Sequence, residues 1–315
     1  MRMVRVASLS FTHRASKTVD GHSDEEMYRH FIDYWDARFE TVGHEQCDLI
    51  VLPENCASPP KRGIGVERWR SWVEQCGPKL RDYFAGKARQ FNTNLVHANH
   101  AIDDQGQMRN RSHVLNRDGS LAGTYDKCFI THTEAEDGIV AGAHSEVISI
   151  DIGTVAPLIC FDLNFFELLE DLAPKRPDII AFSSAYHGGH VQEHWAYQTK
   201  AAFIGCIAPP NKSQIRNSFG KVVASSVNYR HECVADINLD VRQIHIDHNG
   251  TKFDEMRRTY GSGLEIYDPG EIGVVELRSR SDQVDLDEVL ARFDLDPVEE
   301  YFRQVRARTP LAQQD

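Results

Sequence analysis

The 315-residue chain has no apolar run near the ~18 residues a bilayer-spanning helix requires, so it offers no candidate membrane span. It has no CxxC pair, which removes the main support for a zinc ribbon or a thioredoxin-like redox motif. It has no HExxH, so the commonest zinc-hydrolase signature is missing too. Its seven cysteines, Cys47, Cys56, Cys76, Cys128, Cys160, Cys206 and Cys233, are odd in number and scattered, which is no disulfide framework. Positive charge is in deficit, 35 Lys+Arg against 47 Asp+Glu, for a net charge of −12. That balance argues against a nucleic acid or an anionic membrane as partner. The first eleven residues carry two arginines but lack the apolar core of a secretory signal. The expectation is a reduced, cytoplasmic protein. No internal repeat, low-complexity tract or Gly/Ser linker divides the chain.

What is present is the composition of a globular protein, 41% hydrophobic and 26% charged. A chain of this length buries roughly three quarters of its unfolded surface. Short β-type runs alternate with helix-period segments. Residues 5–11 read as a strand. Ser23 and Glu26 form a capping box ahead of Met27, Phe31, Trp35, Phe39 and Val42, an amphipathic helix. Residues 48–53 open on Asp48 and are apolar from Leu49 on, as in a strand buried on both faces. Residues 66–76 and 78–91 read as two helices parted by Gly77 and Pro78. A strand is expected at 94–102 and a hairpin at 112–125, turning through Arg117-Asp118-Gly119-Ser120. A strand pair at 146–160 turns at Gly153, and helix is expected over 163–172. Residues 177–184 read as a buried strand and 192–203 as a helix. Strands follow at 204–208, 222–225 and 233–239. Residues 285–308 read as charged helix broken near Pro297. The pattern is α/β with a mixed sheet.

Cys160 ends an apolar run and opens a helical segment. That places a thiol on a sharp strand-to-helix turn, near free N–H groups that favour a thiolate and stabilise an oxyanion. The plain alternative is a buried core cysteine. Glu54 follows the buried strand directly, where α/β sheets bind ligands, and is placed as a general base. Its alternative is a solvated loop acid. Lys127 follows the hairpin, and Glu134 and Glu136 lie in an acidic loop running to Gly142.

Taken together these residues resemble the nitrilase, or carbon–nitrogen hydrolase, superfamily. The resemblance rests on Leu52-Pro53-Glu54, Tyr125-Asp126-Lys127 and Leu158-Ile159-Cys160-Phe161-Asp162, in that order. Thr131-His132-Thr133-Glu134 and His194-Trp195 also resemble family segments, and the likeness covers roughly residues 4–240. It implies a four-layer α-β-β-α sandwich, with a hydrolase domain over 1–280 and a helical extension over 281–315. It implies a Glu54–Lys127–Cys160 triad, with the Phe161 backbone N–H at the oxyanion and Glu134 as the second glutamate, Glu136 being its rival. No cofactor or metal is called for. The partners implied are a small-molecule amide and, since family members commonly oligomerise, further copies of the chain.

The pattern departs from the family at several points, one being Lys200-Ala201-Ala202-Phe203 where members carry Arg-Ala-x-Glu-Asn. Cys160-Phe161-Asp162 is closer to the Cys-Tyr-Asp of amidase-like members than to the Cys-Trp-Glu of true nitrilases. The arginines that many amidases carry just after this motif are replaced by Leu163-Asn164-Phe165-Phe166, which points to a neutral or differently held substrate. Asp162, Asn164, His187 and His190 are candidate pocket residues. The expected reaction is hydrolysis of a linear amide or N-carbamoyl compound through a cysteine thioester. The alternatives are nitrile hydrolysis by the same triad and a non-enzymatic amide-binding homologue. A His187/His190/His194 metal site is disfavoured, because Gly188-Gly189 interrupts any helix through the first pair.

Overall fold

The computed structural model describes residues 1–11 and 21–309, with Arg62 described by its backbone alone. Two compact units emerge, one spanning Val4–Ile237 and the other combining Met1–Met3 with Asn238–Asp315. The division therefore falls at 237/238, upstream of the extension drawn from residue 281.

The larger unit is an α-β-β-α sandwich. Its first half runs β1 (Met3–Leu9), α1 (Asp24–Gly43), β2 (Leu49–Glu54), α2 (Lys61–Ile64), α3 (Val66–Phe91), β3 (Asn94–Ile102), β4 (Met108–Leu115), β5 (Leu121–Asp126) and α4 (His132–Glu136). Then come β6 (Ile148–Ile150), β7 (Gly153–Ile159), α5 (Phe166–Leu172), β8 (Ile179–Ser184), α6 (Val191–Thr199), β9 (Ala202–Ile207), β10 (Gln214–Arg216), β11 (Val222–Ser225) and β12 (Glu232–Asn238). One sheet has the order β12-β1-β2-β3-β4-β5 and the other β11-β10-β9-β8-β7-β6. In each, three central strands run parallel, so their carboxyl ends lie together.

The local reasons are visible residue by residue. The Ser23–Glu26 capping box starts α1 as expected. The α1 stripe Met27, Phe31, Trp35, Phe39 and Val42 is buried against α3 and the outer face of the first sheet. Trp35 Nε1 donates to the Cys56 carbonyl at 2.8 Å, so the indole packs without a stranded donor. β2 is buried at every position, as its unbroken apolar run requires. Where the sheets face each other, serine hydroxyls reach across to backbone carbonyls, Ser183 to Leu52 at 2.7 Å and Ser10 to Ile207 at 2.7 Å.

Some expectations needed revision. The two helices at 66–76 and 78–91 are one, α3, with Pro78 inside it. Trp69, Trp72, Val73, Cys76, Leu80 and Phe84 form one buried stripe through the proline, and Pro78 itself lies on the exposed face. Burial on both sides outweighs one lost backbone bond and the ring clash with the preceding turn. The helix expected to 203 stops at Thr199, because Lys200 takes a left-handed conformation and Ala202 already belongs to β9. The helix expected from Leu163 begins at Phe166, after a 3₁₀ turn over Cys160–Asn164.

The smaller unit has a sheet of its own, formed by β13 (Val241–His245), β14 (Leu264–Tyr267) and β15 (Val274–Ser279) in the order β13-β15-β14. With α7 (Phe253–Tyr260), α8 (Leu286–Arg292) and α9 (Val298–Arg306) it completes the described chain. Ile244, Met256, Leu277, Val289 and Phe293 share its core. Its strands carry no motif and were not anticipated.

Replacing the exposed Pro78 with alanine restores an α3 backbone donor at a modest cost in unfolded-chain entropy. Denaturant unfolding of Pro78→Ala is expected to show a gain of about 1–2 kcal/mol. A destabilised variant contradicts a helix running through this position.

Candidate active site

Four strand ends meet in one place. Glu54 is the last residue of β2, Lys127 directly follows β5, Cys160 directly follows β7, and Ala185 directly follows β8. The first two come from one sheet and the last two from the other, so the site forms only when the sheets stack.

Lys127 is 2% exposed, and its Nζ lies 3.2 Å from Glu54 Oε1 and 3.0 and 2.9 Å from the Glu134 oxygens. Asn110 of β4 donates from one Nδ2 to Glu54 Oε1 and to Glu134 Oε1, both at 2.8 Å. Burial alone would lower the lysine pKa, but Glu54, Cys160 and Glu134 outweigh it and raise it. The ammonium is therefore permanent. Burial works against ionised Glu134 as well, yet Lys127 and hydrogen bonds from Thr131 and Asn110 hold its pKa below the usual range. Glu134 reaches this position because a capping box with Thr131 starts α4. Glu136, two residues on, is exposed. The Lys127 backbone is clamped on both sides, its N–H donating to Asn110 at 2.9 Å and its carbonyl accepting from Gly142 at 2.8 Å. A side chain at Gly142 would collide with the Asp126 carbonyl, so the loop closes here only as glycine.

Cys160 sits at φ +49°, a left-handed conformation uncommon for a residue with a Cβ. Asp162 holds the turn there. Its carboxyl accepts from Ile159 N–H at 3.1 Å, Phe129 N–H at 2.8 Å and Tyr125 hydroxyl at 2.7 Å. Asp162 is 0% exposed, and burial pushes it up to about 7 against those three donors. Its place is thus beneath the Cys160 turn, fully buried, not in a substrate pocket.

The thiol itself faces Glu54 and the Ala185 N–H. Burial and the Glu54 charge push it up to about 12, with Lys127 pulling the other way. The expected thiolate is therefore not the resting form. The turn after Cys160 is a short 3₁₀ segment, and its dipole does not offset burial beside a carboxylate. Glu54 also accepts from Ala185 N–H at 3.2 Å, which fixes the carboxylate between lysine and cysteine.

A family model described as carbon-nitrogen hydrolase matches residues 22–209. The chain belongs to the carbon–nitrogen hydrolase family. It is 26% identical over 191 residues to a probable hydrolase, YhcX, of Bacillus subtilis, covering 56% of this chain and 35% of that protein, so it spans about a third of this relative. It is 22% identical over 224 residues to an omega-amidase, NIT2, of Danio rerio, covering 62% of this chain and 79% of that one. Among solved structures, yeast Nit3, of the nitrilase superfamily, superposes with a TM-score of 0.61 at 17% identity, covering 82% and 95% of the two chains. An amidase from Nesterenkonia sp. superposes with a TM-score of 0.61 at 16% identity, covering 74% and 89%. These two structures share the fold.

The remaining residues singled out from the sequence are Phe161, Asn164, His187 and His190. The Phe161 N–H sits in the first turn of the 3₁₀ segment, where backbone donors have no partner within the turn. Asn164 is exposed and donates to the Phe161 carbonyl at 3.1 Å. His187 is half-buried, its Nδ1 accepting from Gly189 N–H at 3.0 Å, and burial lowers its pKa. His190 is exposed at the N-terminus of α6. Among the described residues no group of three His, Cys, Asp or Glu side chains is arranged to hold a metal ion. Sequence reading missed Asn110 and the Ala185 N–H. Ala185 shares the strand-end signal of Glu54 and Cys160. Asn110 becomes visible only through the register of β4.

Asp162 ties stability to pH. Its folded pKa lies above the ordinary carboxylate value, so between about pH 4 and 7 the native state binds more protons than the unfolded chain and loses stability as pH rises. The stability difference between wild type and Asp162→Asn is expected to shrink across that window in urea melts. A difference that grows with pH contradicts the assignment.

Proposed function

We propose that this protein hydrolyses the C–N bond of a small linear amide or N-carbamoyl compound through a thioester on Cys160. The observation that carries the reading is the contact set at one point: a Cys160 thiol against Glu54, and Glu54 against a buried Lys127 held by Glu134. The omega-amidase relative and the amidase fold neighbour support the amide class over nitriles, as does Cys160-Phe161-Asp162.

The chemistry follows from the geometry. As the sulfur attacks the carbonyl carbon, the thiol proton passes to Glu54 and the S–C bond forms. Charge develops on the carbonyl oxygen, where the Lys127 ammonium and the Phe161 N–H stabilise it. Glu54 returns the proton to the departing nitrogen as the C–N bond breaks. Water then gives a proton to Glu54 while attacking the thioester, the C–S bond breaks, and Glu54 passes that proton to the departing sulfur, which restores the thiol and frees the acid. Because the thiol starts protonated, the base is needed for every turnover. Glu134 orients the lysine and keeps it charged.

Ammonia release from a panel of amides, carbamoyl compounds and nitriles tests this. Cys160→Ala is expected to fall to background with its circular dichroism unchanged, and Glu54→Gln to lose roughly 10²–10⁴ in kcat. Substantial turnover by Cys160→Ala, or wild-type activity confined to nitriles, contradicts the reading.

A further inference from the structure

Several buried polar atoms around the centre have no partner, Asn55 Oδ1 and Asn110 Oδ1 among them, but an amide oxygen only accepts. The Tyr186 hydroxyl is buried without a partner too, and it can donate. Its position follows from a strand end that builds the site. Tyr186 comes directly after Ala185, whose N–H faces the Cys160 thiol and donates to Glu54 Oε2 at 3.2 Å. Ser184 fastens this corner twice, its hydroxyl donating to the Tyr186 carbonyl at 2.6 Å and accepting from the Tyr186 N–H at 3.0 Å. Phe182 of β8 meets the phenol ring edge to face, with centroids 6.3 Å apart. Backbone and ring are therefore held, and the hydroxyl is left over. A buried polar group without a hydrogen bond is costly, so it calls for a partner supplied by something else.

The hydroxyl lies by the turn that carries the thiol. The titratable groups acting on it most strongly are Cys160, Asp162 and Lys127. Asn164, four residues after Cys160, is beside it without completing an aligned hydrogen bond, since the Asn164 amide nitrogen is engaged by the Phe161 carbonyl. Tyr186 and Cys160 pack against the same buried cluster. Cys160 is half-buried, and Ala185 and Asn164 are exposed, so solvent reaches the thiol's surroundings on this side. The departing nitrogen has to meet Glu54, which the other sheet supplies, so the acyl chain is the part that turns toward Tyr186. Lys127 is already matched by two carboxylates, and the uncommitted group here is neutral. Burial pushes the phenol up to about 12, which keeps it a donor through the neutral range.

We propose that the Tyr186 hydroxyl donates a hydrogen bond to an oxygen on the acyl chain next to the scissile carbonyl, and so selects 2-hydroxy or 2-oxo amides over plain alkyl amides. The inference rests on the amide-hydrolase reading and names its substrate class. A phenol beside the reacting thiol offers one directional donor and no charge, which suits a neutral oxygen one or two bonds from the reacting carbon.

The test compares propanamide with 2-hydroxypropanamide, which differ by one hydroxyl. In Tyr186→Phe the hydroxy-to-alkyl ratio of kcat/KM is expected to fall about tenfold, more through KM than through kcat. The melting temperature is expected to stay the same, because the phenylalanine gives up a hydroxyl that has no partner in the free protein. A ratio unchanged in Tyr186→Phe overturns the inference, whether both amides keep their rates or lose them together. Calorimetric binding of 2-hydroxypropanamide to Cys160→Ala, with and without Tyr186→Phe, separates the two claims. Binding that weakens about tenfold with the phenylalanine, in a protein whose wild type hydrolyses neither amide, supports Tyr186 as the reader while the hydrolase reading fails. Binding equal in the two, or absent from both, overturns the assignment to Tyr186.

Discussion

A lysine ammonium taken out of water is tolerated only when something replaces its hydration. At Lys127 the replacement is two carboxylates, Glu134 at 2.9 Å and Glu54 at 3.2 Å, tied to each other through Asn110. Removing either acid leaves a buried charge short of partners, and removing the lysine leaves two buried carboxylates facing each other. The cluster therefore acts as a unit. It also sets the chemistry, because one Glu54 oxygen serves the lysine and the other side of the carboxylate faces Cys160 and Ala185.

The rest of the larger unit brings that cluster together. β2 delivers Glu54, the β3–β4–β5 meander delivers Asn110 and Lys127, and α4 delivers Glu134. The second sheet contributes only Cys160 and the Ala185 N–H, but it contributes the thiol that faces Glu54. Asp162 joins the halves, since its one carboxyl accepts from Tyr125 and Phe129 on one side and from Ile159 on the other. That bond set explains how a cysteine is kept at φ +49° with its sulfur toward the first sheet.

Much of this was legible beforehand where a single residue type has a single physical use. An apolar run ending in Glu54, a thiol at a strand end, and a Ser23–Glu26 cap each announce themselves locally. What escaped depends on relations between strands. Asn110 is an ordinary polar residue until the β3–β4 strand pairing sets it between two carboxylates. Asp162 stood in a recognisable motif, but only complete burial shows that it anchors a turn and does not meet substrate. The thiol was expected to ionise from its helix-start position. Burial of the thiol and the adjoining Glu54 reverse that, and the short 3₁₀ turn does not offset them. Pro78 misled because the deciding term, a buried stripe continuing on both sides, belongs to packing.

The central claim is that Cys160 rests as a thiol and gives its proton to Glu54 only during attack. The most direct measurement is the ultraviolet thiolate absorbance of wild type minus Cys160→Ser, followed across pH. The account predicts no ionisation at Cys160 through the neutral range, with the thiol titrating up near 12. A thiolate already present at about pH 7, as in a preformed cysteine ion pair, would contradict it.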